Sequence, residues 1–226
     1  MLNFEKCFRL RGIINQVSSN RLFQKLEQKQ VIYAGFDPSA SSLHVGNLLA
    51  LITLMRFKSY GHDVIALVGG ATAQIGDPSF RSTERNLLSD LENVKNTSSI
   101  ISQINQVFKT SESYIKKYSL LEQGTLTIKN NLDWYSSMNI LDFLKTIGNH
   151  HRISIMLSKD AVKSRLDSQT GMSYTEFTYP ILQAYDFYYL YTKYNCTVQI
   201  GGSDQWVYLY NKGKYNIRHR FYSQKY

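Results

Sequence analysis

Tyr33-Ala34-Gly35-Phe36-Asp37-Pro38-Ser39, followed by Leu43-His44-Val45-Gly46-Asn47, decides how this chain folds. Val31, Ile32 and Tyr33 favour extended backbone, so Gln30 to Gly35 reads as a buried strand. His44 to Tyr60 then reads as a helix. A strand end, a tight turn and a helix start make the physical recipe for a nucleotide-phosphate site. Backbone N–H groups at the helix N-terminus face an anion, and glycine lets the phosphates come close. His44 can donate to a phosphate and stabilise charge that develops on transfer. Ser39 adds a hydroxyl donor.

The rest of the chain repeats this alternation. His62 to Gly69 is a second buried strand, and Gly69-Gly70-Ala71-Thr72 leads from it to Gly76-Asp77-Pro78-Ser79. Residues 93–118 are helical, with Ile100, Ile104, Val107 and Phe108 on one stripe. Thr125 to Lys129 is a short strand. Helices follow near 139–148 and 173–193, and Cys196 to Ile200 is the last strand. Two further helices precede the first strand, near 4–14 and 19–28. Strands alternating with helices give an α/β fold, a doubly wound parallel sheet. Such sheets bind ligands at the carboxyl ends of their strands. Three strings begin at such ends: 33–47, 69–79 and Gly201-Gly202-Ser203-Asp204-Gln205-Trp206. The last is a Gly-rich strand exit followed by a carboxylate, which suits a ribose hydroxyl.

Ser173 and Glu176 form a capping box that starts the 173–193 helix. Tyr179, Gln183 and Asp186 follow at spacings of four and three, on one face. A hydroxyl, an amide and a carboxylate aligned beside Phe177, Ile181, Leu182 and Phe187 mark a polar small-molecule site. Asp77, at a strand end, is placed to bind an ammonium group. Pro180 is expected to kink the helix. The run Tyr185-Asp186-Phe187-Tyr188-Tyr189-Leu190-Tyr191 reads as helix packing rather than a base-stacking platform.

The chain has 226 residues, 43% of them apolar, with three prolines and two cysteines. That allows one large domain, without long linkers or a disulfide framework. The longest apolar stretch, Leu48 to Met55, is too short to span a bilayer, so no membrane role is expected. The net charge of +9 sits at the two ends. Residues 1–30 hold six Lys/Arg against two Glu, and residues 207–226 hold five Lys/Arg and no acid. Both ends read as solvated charge runs rather than a nucleic-acid interface. Lys6, Arg9 and Arg11, with Phe4, Phe8 and Ile13 on one face, fit an organellar targeting helix or an ordinary first helix.

Taken together these strings resemble the bacterial and mitochondrial tyrosyl-tRNA synthetases, which are class I aminoacyl-tRNA synthetases. The segments are Tyr33-Ala-Gly-Phe-Asp-Pro, Ala66-Leu-Val-Gly-Gly-Ala-Thr, Gly76-Asp-Pro-Ser, Ser173-Tyr-Thr-Glu-Phe, Leu182-Gln-Ala-Tyr-Asp-Phe and Gly201-Gly-Ser-Asp-Gln-Trp. Val162 to Ser173 is most similar to the organellar members. The resemblance implies a Rossmann-like catalytic domain over 31–206, a helical segment at 1–30 and a divergent basic tail at 207–226. It implies ATP and Mg2+, with tyrosine and tRNA(Tyr) as the other partners and a homodimer in the complete form. A mitochondrial matrix location is implied, with the cytoplasm as the alternative. Tyr33 and Asp186 would contact the substrate phenol, and Asp77, Tyr179 and Gln183 its ammonium. His44 and Ser39 would stabilise the ATP phosphates. Gly35, Asp37, Gly46, Asn47, Gly202 and Asp204 would line ATP, and Gln205 the reacting carboxyl.

Three departures from the family pattern stand out. Asn47 replaces the second histidine of His-x-Gly-His, and Phe80 replaces a glycine. After Trp206 the pattern stops, and the lysine-bearing loop and tRNA-binding domains of the family are absent. The expectation is a catalytic domain incomplete at its C-terminus, with little adenylate formation and a tendency to associate. Two rivals follow: a tryptophanyl enzyme, and a non-catalytic isoform that binds tyrosine, a full-length subunit or RNA. Tyr33 and Asp186 argue against the first, because tryptophan has no hydroxyl for them.

Overall fold

Four strands form one sheet in the order β3-β2-β1-β4, and every neighbouring pair is parallel. The structure is a computed structural model and describes residues 4–79, 88–118, 122–167 and 171–205. Phe80, Trp206 and the tail at 207–226 lie outside the described residues. In chain order the elements are α1 (Phe4–Leu10), α2 (Arg21–Lys25), β1 (Val31–Phe36), α3 (Val45–Ser59), β2 (Asp63–Val68), α4 (Asp90–Tyr118) and β3 (Leu126–Asn130). Then come α5 (Leu132–Tyr135), α6 (Ile140–Thr146), α7 (Ile153–Leu157), α8 (Asp160–Asp167), α9 (Tyr174–Tyr194) and β4 (Cys196–Ile200). Short 3-10 turns at Thr72–Gln74, Gly148–His150 and Ser203–Gln205 complete the order.

The strands are buried on both faces, and side chains alternate between them. Ile32, Ala34 and Phe36 of β1 and Val64, Ala66 and Val68 of β2 share one core with Leu51, Leu54 and Phe57 of α3 and Ile100, Ile104 and Phe108 of α4. Tyr33, Ile65 and Leu67 point the other way, onto Trp134 and onto Phe187 and Leu190 of α9. Helices therefore cover both faces, as the doubly wound reading requires. Phe8 of α1 is only 1% exposed and packs on Phe57 with ring centroids 5.1 Å apart. Residues 4–10 are thus packed against the core through Phe8.

Two local expectations change. The helix expected from residue 93 starts at Asp90, because Ser89 and Glu92 cap it. Glu92 Oε2 accepts from Ser89 N at 3.0 Å, and Ser89 Oγ accepts from Glu92 N at 3.3 Å. At α9 only half of the expected box is used for capping. Ser173 Oγ accepts from Glu176 N at 3.2 Å, but both Glu176 oxygens accept from Arg165, each at 3.0 Å. α9 also runs unbroken through Pro180. Its neighbours Tyr179, Ile181 and Leu182 are all buried, so packing on either side of the proline holds the helix. Asn195 at φ 52° caps α9 in the left-handed region, and β4 follows directly.

Candidate active site

Because the strands are parallel, their carboxyl ends meet at one edge. That edge brings together Asp37 after β1, Gly69 to Thr72 after β2, Asn131 after β3 and the Ser203–Gln205 turn after β4. α9 lies across one face of the sheet, and the residues read from its sequence as one polar face engage this edge.

Asp186 is the deepest of them, 3% exposed. Its Oδ2 accepts from Asn131 Nδ2 at 3.0 Å, and its Oδ1 accepts from Trp134 Nε1 at 2.9 Å. Burial pushes its carboxyl up to about 7, against the hydrogen bonds from Asn131 and Trp134, which favour the charged form. Tyr33 is equally buried and stacks on Phe187, ring centroids 5.5 Å apart and planes at 24°. Tyr33, Trp134 and Phe187 belong to one packed cluster, and Asp186 is bonded to its tryptophan. The pair expected at the phenol thus belongs to β1 and α9, on the face of the sheet that α9 covers.

Tyr179 is two turns earlier on α9. Its hydroxyl donates to Asp37 Oδ2 at 2.8 Å. Burial, then the Asp37 charge, hold this phenol well above the usual tyrosine range, so it is a fixed donor. Thr72 Oγ1 donates to the other Asp37 oxygen at 2.7 Å. Asp37, expected against the nucleoside, therefore ties β1 to α9 and to the glycine loop. Gly69 must be a glycine for that contact, since a Cβ there would collide with Asp37 Oδ1 and Thr72 Oγ1. Asn131 Nδ2 also donates to Thr72 Oγ1 at 3.0 Å, and Asn131 Oδ1 accepts from Ala71 N at 2.7 Å. One buried amide connects the Asp186 end to the Asp37 end.

Asp77 Oδ1 accepts from Ser79 N at 2.9 Å, and Asp77 Oδ2 accepts from Gln205 Nε2 at 2.9 Å. Gln205 Oε1 accepts from Gln183 Nε2 at 3.0 Å. The three residues expected at the ammonium are therefore brought to one edge but reached through partners: Tyr179 bonds Asp37, and Gln205 bridges Asp77 to Gln183.

His44 is the N-cap of α3. Its Nδ1 accepts from Gly46 N at 3.1 Å and Asn47 N at 3.4 Å, while Asn47 Oδ1 accepts from His44 N at 3.1 Å. An imidazole that accepts at Nδ1 is neutral and carries its proton on Nε2. His44 is exposed, so that donor is presented at the surface of the site. Glycine at 46 has a reason the sequence did not give. A Cβ there would lie 3.0 Å from His44 Cε1 and 3.1 Å from Nδ1, so it is the imidazole that needs the space. Asn47 serves the same cap. Ser39 and Gly35 are exposed on the same edge.

A cavity of about 330 Å³ opens beside this helix start. Gly46, Ala50 and Thr53 of α3 line it, with Gly201, Gly202 and Ser203 after β4. Ile13 and Asn15 close it from the segment after α1, where Asn15 Nδ2 donates to Ser203 Oγ at 2.8 Å. Of the residues expected around ATP, Gly46 and Gly202 line this cavity and Gly35 and Asp37 do not. Asp204 belongs to the adjoining 3-10 turn. Sequence reasoning missed Thr72, Asn131, Trp134 and Asn15. For Asn131 a signal existed: it directly follows β3, at a strand end like the others. Among the described residues no group of three or more His, Cys, Asp or Glu is placed to hold a metal ion.

The model of the tRNA synthetases class I (W and Y) family matches residues 24–211. The chain belongs to that family of class I tRNA synthetases. It is 41% identical over 204 residues to the mitochondrial tyrosine–tRNA ligase of Saccharomyces cerevisiae, covering 87% of this chain and 42% of that protein. It is 46% identical over 208 residues to tyrosine–tRNA ligase 1 of Bacillus subtilis, covering 91% and 47%. The C-terminally truncated mitochondrial tyrosyl-tRNA synthetase of Aspergillus nidulans superposes with a TM-score of 0.85 at 36% identity, over 92% of this chain and 59% of that one. The chain spans less than half the length of these two curated relatives.

Proposed function

We propose that the chain carries the amino-acid-activating site of a tyrosine–tRNA ligase. The observation that carries this reading is Asp186, a buried carboxylate of α9 held by Asn131 and by Trp134, which packs in one cluster with Tyr33. A buried acceptor of this kind suits a phenol hydroxyl and has no partner on phenylalanine or tryptophan. The tyrosine and mitochondrial names of several relatives support it.

In this reading tyrosine lies along α9. Its hydroxyl faces Asp186 and Tyr33, and its ammonium faces Asp77, Gln183 and Tyr179. Its carboxylate, near Gln205, attacks the α-phosphorus of ATP, giving tyrosyl-adenylate and releasing pyrophosphate. The tyrosyl group then passes to the terminal ribose of tRNA(Tyr). The nucleoside of ATP takes the cavity lined by Gly46, Ala50 and Gly202, whose 330 Å³ is at the lower end of small-molecule pockets. Gly35, Asp37 and Asp204, at the same strand-end edge, complete the ATP site in this reading. His44 Nε2–H and Ser39 donate to the phosphates, and Asn47 holds His44 in place. Mg2+ enters with ATP, bound to its phosphates.

The same reading gives residues 31–206 as the catalytic domain. It extends to a homodimer: Ile140 and Leu141 of α6 and Ile153 of α7 are 66%, 73% and 66% exposed, and a second copy would cover them. It places the protein in the mitochondrial matrix, on the names of the yeast and fly relatives. No helix among the described residues is long and apolar enough to cross a membrane.

ATP–pyrophosphate exchange tests the reaction. In a chain extended to the length of its relatives, exchange that depends on tyrosine, and is not supported by tryptophan, is the expected result. Equal exchange with both would reject the assignment. Tyrosine binding with no exchange at all would favour the non-catalytic alternative.

A further inference from the structure

Gln205 holds both ends of its carboxamide inside the site. Nε2 donates to Asp77 Oδ2 at 2.9 Å and reaches Ser79 Oγ at 3.5 Å, and Oε1 accepts from Gln183 Nε2 at 3.0 Å. Asp77 Oδ1 already accepts from Ser79 N at 2.9 Å and Ser79 Oγ at 2.5 Å. The oxygen that remains for a ligand is therefore Oδ2, the one that Gln205 occupies. All four side chains are half-buried, so a ligand can reach them. An amide N–H on a carboxylate is chemically what an ammonium N–H would be there, without the charge.

We propose that Gln205 is a built-in occupant of the ammonium subsite, and that its displacement selects α-amino acids over simple amines. The inference rests on the tyrosine reading above. An incoming ammonium brings a full charge to Asp77 Oδ2 and makes the stronger, charge-assisted bond. It thereby frees the Gln205 NH2 group. A carboxylate on the same ligand, one bond away from the amine-bearing carbon, is the acceptor that restores that group's hydrogen bonds. An α-amino acid supplies both halves of the exchange. An amine lacking the carboxylate breaks the Gln205 bridge and gives nothing back, which weakens its binding. Gln205 is thus a specificity-determining residue, read out by comparing two ligands that differ only in the carboxylate.

The experiment is calorimetry of the 226-residue chain with tyrosine and with tyramine, its decarboxylated analogue. It is repeated on Gln205→Ala and Gln205→Met. Alanine removes the competitor with its volume. Methionine removes the hydrogen bonds and keeps most of the bulk. Both variants should bind tyramine about fivefold or more tightly than the wild type, since two hydrogen bonds no longer have to be broken. Tyrosine binding should stay equal or weaken, so the preference for tyrosine over tyramine falls. Tyramine affinity that is unchanged or lower in both variants, with tyrosine still bound by the wild type, would overturn the role of Gln205 alone. A wild type that binds no tyrosine would reject the tyrosine reading, and this inference with it.

Discussion

Asn131 donates to Asp186 across 3.0 Å in the interior, with neither residue more than 3% exposed. The same Asn131 amide donates to Thr72, which donates to Asp37, which accepts from Tyr179. A carboxylate in so dry a place needs donors, and Asn131 hydrogen-bonds to it directly. Asn131→Ala should lower stability by about 1–3 kcal/mol and weaken tyrosine binding. Denaturant melts and calorimetry measure the two. A variant as stable as the wild type, with unchanged tyrosine affinity, would show that the network does no such work.

Asp186 also gives the protein a pH dependence of defined sign. Its carboxyl is raised by burial to about 7, against an ordinary value of 3.8. The folded state therefore binds the proton more tightly than the unfolded chain. The stability this contributes is full below about 4 and is lost as pH rises through about 7. The loss is of the order of 1 kcal/mol per pH unit between those values. Asp186→Asn removes the titration. Melting curves at pH 5 and pH 8 should show the wild type falling relative to the variant on going to pH 8. A parallel response in the two proteins would contradict the buried carboxylate.

Arg165 and Glu176 form a bidentate pair with side chains 1% and 5% exposed. It fastens α8 to the first turn of α9, three residues before Tyr179. Arg165→Met leaves a buried carboxylate without its cation and should cost about 3–5 kcal/mol. The double variant Arg165→Met/Glu176→Leu removes both charges and should recover most of that loss. Thermal denaturation distinguishes the cases. A double variant no better than the single one would mean the pair matters through packing rather than charge.

Much of this was legible in the sequence, and for physical reasons. Val31 to Phe36 and Asp63 to Val68 are short apolar runs rich in β-branched residues, bounded by turn chemistry, so their strands were found nearly to the residue. Parallel strands put their carboxyl ends together, so the strings after β1, β2 and β4 had to meet. Spacing alone put Tyr179, Gln183 and Asp186 on one face of α9. What the sequence could not show is pairing across distance. Asn131 and Asp186 are 55 residues apart, and Asp37 and Tyr179 are 142 apart. No local pattern marks an amide as the partner of a carboxylate. Glu176 sits at a capping-box position, but a buried arginine claims its carboxylate. The short helices α5, α7 and α8 have too few turns to display a period, and only their packing defines them.

The α3 cap links glycine to catalysis by sterics. With His44 Cε1 at 3.0 Å from a Cβ on residue 46, Gly46→Ala must shift the imidazole by a few tenths of an ångström. The proposed role of His44 belongs to the transition state, where added interactions raise rate rather than affinity. In a chain extended to the length of its relatives, His44→Ala should slow tyrosine-dependent pyrophosphate exchange by about a hundredfold, the scale for removal of one transition-state donor, and Gly46→Ala should slow it by less. Tyrosine affinity should change less than threefold. Equal losses in rate and in tyrosine affinity would assign His44 a structural role only.

The proposed recognition of a phenol rests on the layer holding Tyr33 and Asp186. Titration calorimetry of the chain with tyrosine, phenylalanine and tryptophan tests it most directly. A buried carboxylate matched to a hydroxyl is left unmatched by phenylalanine, at a penalty of about 1–3 kcal/mol. Tyrosine should therefore bind roughly ten- to a hundredfold more tightly than phenylalanine, and Asp186→Ala should erase most of that preference. Equal affinity for all three amino acids in the wild type would contradict the tyrosine assignment.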